Sequence, residues 1–458
     1  MIRPPVPPPP LPASKFAYGH RPPPVRAAEV PGMCSVRVQD LFDDIPDPIH
    51  RFGDDISPVR ESARTALANV DMSMIRPGDL VNILCSEHGF AMMGGQAYAE
   101  LIKTVREEVV RRTGATNVRL AMSSAASKFE SDEILPRLGL DEAFEGKIAT
   151  FGPYDPGIAI DTEIGRLYGV RKGYTADWLI HVCYDDPREV HFHRVNGRLL
   201  KSFTMSYARM ETRSIFHNNF PTRSANIVPR AVYESRYVRD RWAFAAVLST
   251  SPTGTMGVDA DNDLIALDRR TGAQILRRYG KMLQLFNTID ACFVVADDTR
   301  WLPYQHAGGL TACALYESGH DHLDLDLPSH PPAQVDKQVF KKPVMAIVVN
   351  YAWKLFSTAP LTIAADERVG KDLRRIHSGS EIVVASELAE AVDIAAERTG
   401  TDKGIVFDGS YGSINMTRAM AEHLLAHAPE VGRRVDQELL PRWFRQRNLP
   451  LSALESSV

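Results

Sequence analysis

From about residue 34 the chain alternates short, continuous apolar runs with longer stretches in which apolar residues recur every three or four positions. The runs have strand length and β-branched content, while the periodic stretches have helix length. Asp79–Cys85 (DLVNILC) reads as a buried strand. A helix is expected over Gln96–Arg112, with Leu101, Val105 and Val109 on one face and Gly114 as its stop. Asn117–Ser123 is the next strand, and a short helix starts near Ser131 with Asp132 and Glu133 in its first turn. Asp177–Tyr184 (DWLIHVCY) is a further strand. In the second half QILRRYGKMLQLF reads as a helix, as does Glu387–Arg398, between strands at Ile289–Asp297, Lys342–Asn350, APLTIAA and Gly404–Phe407.

Strands separated by helices of ten or more residues form parallel sheets covered on both faces. The expected fold is α/β: two domains with mainly parallel sheets flanked by helices, and the active site in the interdomain cleft. The expected boundaries are a Pro-rich disordered tail over 1–33, an N-terminal α/β domain over 34–270, a C-terminal α/β domain over 271–445 and a flexible tail over 446–458. Proline blocks at Pro7–Pro10 and Pro22–Pro24 favour polyproline II and exclude a helix or a sheet interior, so residues 1–33 are expected to be solvated. Ser318–Lys337, with its prolines and its run of His and Asp, is expected to be a surface excursion.

Composition narrows the function classes. At 458 residues a sizeable core is available, and 44% apolar with 24% charged residues is ordinary for a globular protein. A net charge of −4 provides no basic field for a nucleic acid backbone. No apolar run is long enough to span a bilayer. The five cysteines are scattered, without CxxC spacing or a disulfide framework, and the proline-rich start lacks the apolar core of a signal peptide. A cytoplasmic protein is expected, with neither nucleic acid nor membrane as partner.

In sheets of this kind, ligands sit at the carboxyl ends of strands. Polar clusters fall there: SEHG after Cys85, SSAASK after Met122, DDPREVHFH after Tyr184, and DDTRWLPYQH after Ala296. His191-Phe-His193 would point both imidazoles to one face of a strand, a start for a zinc or iron site, although a solvated histidine beside a backbone-bonded one explains the pair as well. His181 and His217 are further candidate ligands. Lys201 is a candidate nucleophile or a surface lysine. His217 ends a helix expected to begin near Thr204, whose hydroxyl could cap it, and a histidine there also suits the helix dipole.

Taken together, the order His191, Lys201-Ser202, His217 resembles the nickel-pincer lactate racemase family. TADWLIHVC before it looks like the family's strand leading into the site. GDLVNILCSEHGFA and VRLAMSSAASKFESDEIL resemble the family's two cofactor and acid/base loops, and Tyr304-Gln305 resembles its Y-Q on the substrate side. SEIVVASELAEAVDIAAERTGTDKGIVFDGSYGSI resembles its closing helix–strand unit.

The resemblance implies a racemase or epimerase of a 2-hydroxy acid or related hydroxyl-bearing stereocentre, acting by hydride transfer to nickel pyridinium-3,5-bisthiocarboxylic acid mononucleotide. Residues 34–270 would bind that cofactor, held covalently at Lys201 and contacted by Ser202, Glu87, Ser127 and Lys128. His217 would ligate the nickel, His191 would be the acid/base residue with His88 or His193 as the second, and Tyr304 and Gln305 would line the substrate. Proteins of cofactor biosynthesis are the implied partners for loading.

The chain departs from the pattern at Glu87 for aspartate, Phe90 for arginine, Ser127 for a histidine and Lys128 for arginine. Arg198-Leu199-Leu200 replaces a Gly-Gly, and Gly308 replaces a lysine. Phe90 in place of arginine suggests a less anionic or bulkier substrate than lactate. The competing readings are a zinc or iron hydrolase built on His191 and His193, and a non-catalytic homologue that binds a small molecule.

Overall fold

The computed structural model describes residues 1–124, 131–185, 199–219, 223–298, 321, 323–327, 343–352, 360–377 and 381–454. Contacts divide the chain into two compact units. One joins residues 1–47 and 251–254 to 276–458, and the other comprises 48–250 and 255–275. Both are α/β, with largely parallel sheets flanked by helices.

The 48–275 unit is built on six strands. Across the sheet they run Ile148–Phe151, Asn117–Ser123, Leu80–Ser86, Trp178–Tyr184, Trp242–Ser251 and Gly254–Asp261. The first five pair in parallel, and the sixth follows the fifth after two residues, a connection short enough only for an antiparallel hairpin. Numbered along the chain the order is 3-2-1-4-5-6, the doubly wound arrangement. The central strands are buried on both faces: Val81, Ile83, Leu84, Ile180 and Val182 are fully inaccessible, each contributing roughly 1.5–3 kcal/mol of burial. Helix Gln96–Thr113 covers one face through Leu101, Val105 and Val109, and ends at Gly114 in the left-handed conformation.

From Leu80–Ser86 the chain crosses to one side of the sheet, and the fourth strand, Trp178–Tyr184, returns on the other side. The two are direct neighbours, with Val81 opposite Trp178 and Leu84 opposite His181. Their carboxyl ends therefore border a topological switch point, where crossovers diverge and leave the sheet edge accessible to a ligand.

The unit of the chain ends carries eight strands in the order Ile2–Arg3, Met33–Arg37, Ser413–Thr417, Gly404–Phe407, Cys292–Asp298, Val344–Ala352, Leu361–Ala364 and Ile382–Val384. The last five pair in parallel, and the first three are antiparallel additions. Three sequence expectations are corrected here. Residues 1–33 are not a solvated tail: Ala17, Tyr18 and Ala27 have no accessible surface, and Ile2–Arg3 and Met33–Arg37 are strands of this sheet. Within the expected excursion Ser318–Lys337, Asp321, Leu323, Asp324 and Leu325 are buried, because the Trp443 indole donates to Asp321 (2.9 Å) and Arg447 donates to the Leu323 carbonyl (2.9 Å). Arg447 and Leu449 are buried as well, so the expected 446–458 tail begins as packed chain.

The close approach at Gly89 supplies a stability test. A Cβ there would meet the Tyr98 ring at 2.3 Å, and that ring is fixed between Phe90 and Tyr184 at centroid distances of 5.0 and 5.6 Å. Gly89→Ala should lower the free energy of unfolding in urea by about 1–3 kcal/mol. Gly78→Ala, where a Cβ meets nothing within 4 Å, should stay within about 0.5 kcal/mol of the parent.

Candidate functional site

The residues after the two switch-point strands form the candidate site. Leu80–Ser86 runs into a 3-10 turn over Glu87–Gly95 that begins with Glu87 and His88. Glu87 is almost fully buried; burial, helped by the Glu87 charge, pushes the Cys85 thiol well above its ordinary range. His88 is half-buried. Phe90, two residues on, is 1% exposed and packs on Tyr98 within the hydrophobic core. This corrects the inference drawn from Phe90 about substrate: the ring turns into the protein, so it reports core packing.

Beyond Trp178–Tyr184 the chain is fixed at Asp185. The Asp185 carboxylate is fully buried and accepts from the Thr250 amide (2.8 Å) and hydroxyl (2.6 Å). That pair ties the fourth strand's end to the fifth. Within the polar run after Tyr184, nothing in the residue pattern sets Asp185 apart from Asp186.

Lys201 follows on a 3-10 turn over Leu200–Phe203 and is 5% exposed. The turn is a stiff mount. The Lys201 carbonyl accepts from the amides of Thr204 and Met205 (both 3.0 Å) and from the Thr204 hydroxyl (3.0 Å). The Tyr207 amide donates to the Ser202 carbonyl at 2.9 Å, and Ser202 is itself buried. Phe203 anchors the turn from below, in contact with the rings of Tyr207, Tyr233 and Trp242 at centroid distances of 5.9, 5.7 and 6.0 Å. Leu199 leads into the turn. Its side chain is inaccessible, and its amide donates to Asp268 at 2.6 Å. Leu199 therefore anchors the approach to the turn in the core. Ser123, at the end of the second strand, donates to the Ser206 carbonyl and ties the same turn to the sheet edge.

His181 lies in the core beneath this turn. It has no accessible surface, its Nδ1 lies 2.7 Å from the Tyr207 hydroxyl, and its ring meets Phe203 and Tyr207 edge-on or tilted at 5.9 and 5.5 Å. It supports the Lys201 turn from the strand beneath.

His217 lies in the last turn of helix Met210–Asn218. The helix does not start near Thr204: that hydroxyl bonds back to Lys201, the chain passes through Ala208 paired with Gly169, and helix begins only at Met210. The His217 Nδ1 lies 2.7 Å from the Arg213 carbonyl, one turn earlier. A carbonyl only accepts, so Nδ1 carries the proton and Nε2 presents the lone pair, the tautomer a metal requires. Although the ring is exposed on one side, the protein around it removes enough water to lower its pKa, and the positive charges of Lys201 and Arg213 lower it further. Lys201 and His217 are therefore within electrostatic range of one another.

Of the residues named from the sequence, the structure places Glu87 and His88 at the end of one switch-point strand, and Lys201, Ser202 and His217 in the chain that follows the other. His191, His193, Ser127, Lys128, Tyr304 and Gln305 lie outside the described residues. Among the described residues no group of three or more His, Cys, Asp or Glu is placed to hold a metal ion, and no helix is long and apolar enough to cross a membrane.

No protein-family model matches the chain, and no curated protein matches it by sequence. Among solved structures, the lactate racemase apoprotein from Thermoanaerobacterium thermosaccharolyticum is similar with a TM-score of 0.44 at 13% identity, covering 80% of this chain and 94% of that one. A likeness of this size carries no weight for fold or chemistry, which rest on the strand order and residues described above.

The electrostatics at His217 predict a pH response. Its folded pKa lies below the 6.5 of an ordinary histidine. The ring therefore contributes stability above about pH 6.5 that is lost as pH falls through the folded value. NMR titration of the His217 ring should give a midpoint below 6.5, and Lys201→Met should raise it by removing one of the lowering charges. An unchanged midpoint in Lys201→Met would separate the two residues electrostatically.

Proposed function

We propose that the chain is an isomerase, a racemase or epimerase of a 2-hydroxy acid or a related hydroxyl-bearing stereocentre, with nickel pyridinium-3,5-bisthiocarboxylic acid mononucleotide carried on Lys201. One observation carries this reading: a buried lysine on a stiff turn stands within electrostatic range of a histidine whose Nε2 is fixed as the lone-pair nitrogen. The donor set fits the group. A primary amine is the attachment a covalent tether needs, and a neutral imidazole is the nitrogen ligand that nickel accepts.

The cofactor, when bound, supplies a hydride acceptor that a protein side chain cannot supply. The remaining work falls to the chain. Lys201 fixes position, because its backbone carbonyl is held by three donors and Phe203 is wedged among aromatic rings. His217 presents Nε2 in the tautomer set by Arg213. His191 takes the substrate's hydroxyl proton on a ring nitrogen and returns it, with His88 or His193 serving the opposite face where Ser127 replaces a histidine. Glu87, Ser127, Lys128 and Ser202 complete the cofactor's surroundings, and Tyr304 with Gln305 orient the substrate.

The reading is tested on protein purified from a host that makes the pincer cofactor. The expected result is one nickel per chain and a mass adduct on the peptide containing Lys201, with Lys201→Ala losing the adduct and at least about a hundredfold in racemisation. Zinc without an adduct supports the hydrolase built on His191 and His193, and full activity in Lys201→Ala ends the proposal.

A further inference from the structure

The proline-rich N-terminus forms an ordered element whose geometry is legible residue by residue. Met1, Pro4, Pro7, Pro10 and Ala13 are exposed, and the two residues between each pair are partly covered. A repeat of three is the period of a polyproline II helix, here lying on the protein with one ridge outward. The covered faces are read by specific groups of the same unit. The Asn415 carboxamide clamps Val6 from both sides, accepting from its amide (2.9 Å) and donating to its carbonyl (2.8 Å). Ser35 donates to the Pro4 carbonyl (2.7 Å), Arg26 to that of Pro9 (3.0 Å) and Tyr351 to that of Pro12 (3.1 Å).

The segment then turns across the carboxyl ends of the parallel strands. The Tyr18 amide donates to the Ala352 carbonyl (2.8 Å), its hydroxyl lies 2.6 Å from His377 Nε2, and the Gly19 amide donates to Asp372 (3.0 Å). Arg26 closes the path. Its Nε lies 2.9 Å from the fully buried carboxylate of Asp297 and its Nη2 donates to the Asp297 carbonyl, while the Ala27 amide donates to the same carboxylate (2.9 Å). Asn350 holds both sides, donating to the Val25 carbonyl (3.0 Å) and to Asp297 (2.8 Å).

What lies under this path is unusual for a sheet end. Asp297 and Asp298 close the strand Cys292–Asp298, Asp408 follows Gly404–Phe407, and Asn350 and Asn415 sit on the strands outside these two; all are at least nine-tenths buried. Cys292–Asp298 and Gly404–Phe407 are also the neighbours between which this sheet's winding reverses, because the chain proceeds from the former through Val344–Ala352, Leu361–Ala364 and Ile382–Val384 on one side before returning to the latter on the other. This edge is where a doubly wound sheet presents polar groups to a ligand. Here the N-terminal segment supplies partners to Asp297, Asn350 and Asn415, and Asn415 in turn donates to Asp408.

We propose that residues 1–27 are a strap that opens as a unit of its own and controls access to this edge, with the Arg26–Asp297 pair as its latch. A polyproline II segment has no internal hydrogen bonds, so its hold depends on contacts to the rest of the unit: the sheet end, the pairing of Ile2–Arg3 with Met33–Arg37 and the Arg3–Asp40 ion pair. Its prolines lose little entropy on docking, which makes a short segment sufficient to close the edge. The latch is cooperative because withdrawing Arg26 leaves a buried carboxylate without its counter-charge.

The test is hydrogen exchange on the full chain together with labelling of accessible carboxylates by carbodiimide and glycine ethyl ester. In Arg26→Ala the amides of Val6, Tyr18, Gly19 and Ala27 should exchange about tenfold faster or more, those of Val344–Ala352 should keep their protection, and Asp297 and Asp408 should become labelled. Arg26→Lys should fall between the two. Should Arg26→Ala not fold, exchange of the parent protein in urea below the unfolding transition decides the matter: strap amides that open at lower urea than the strand support the strap. Strap and strand amides exchanging together, or carboxylates that stay unlabelled in a folded Arg26→Ala, overturn it by making the segment a fixed part of the core.

Discussion

The parallel ladder between Leu80–Ser86 and Trp178–Tyr184 is the constraint on which the candidate site depends. The two strands are neighbours in space and distant in sequence, and the chain reaches them from opposite sides of the sheet. No crossover can cover their shared carboxyl edge, so the residues that follow them are free to carry chemistry without disturbing the core. The ladder itself is buried on both faces, which fixes its register: a slip of one residue would turn Ile83 and Ile180 into the opposite layer. Glu87 inherits its position directly from that register, and the Lys201 turn is tied to the sheet by Ser123 and by Phe203 packed on Trp242.

Much of this scaffold was legible in the sequence because it depends on local pattern. The strand at Asn117–Ser123 and the helix from Gln96 have the limits that apolar runs and Gly114 imply. The helix carrying His217 begins at Met210 and not near Thr204, because Tyr207 packs as a turn residue on Phe203, whose ring joins Tyr233 and Trp242 from farther along the chain. Phe90 follows a related rule: its place after the strand end suggests a site residue, but only the direction of the side chain decides whether it faces ligand or core.

The N-terminus shows the same limit from the other side. Proline content correctly excludes helix and central strand, and it also suggests a solvated tail, because composition reports what a segment cannot form internally. It does not report partners supplied by Asn415, Tyr351 and Asp297, which lie hundreds of residues away. Both ends of the chain consequently build one unit, and the unit bearing Lys201 is inserted between them. At the candidate site, the Lys201 to His217 spacing was readable as a resemblance. The features that make the pair chemically apt, the buried turn and the Nδ1 bond to Arg213, required the fold.

The central claim is that Lys201 and His217 together hold a nickel-bearing pincer group. Nickel K-edge X-ray absorption of protein purified from a cofactor-producing host tests it most directly. The account predicts a nickel coordinated by sulfur donors and one imidazole nitrogen, with the nitrogen shell lost in His217→Ala and the sulfur shell retained. A nickel shell unchanged by His217→Ala, or nickel bound by nitrogen and oxygen alone, would contradict it.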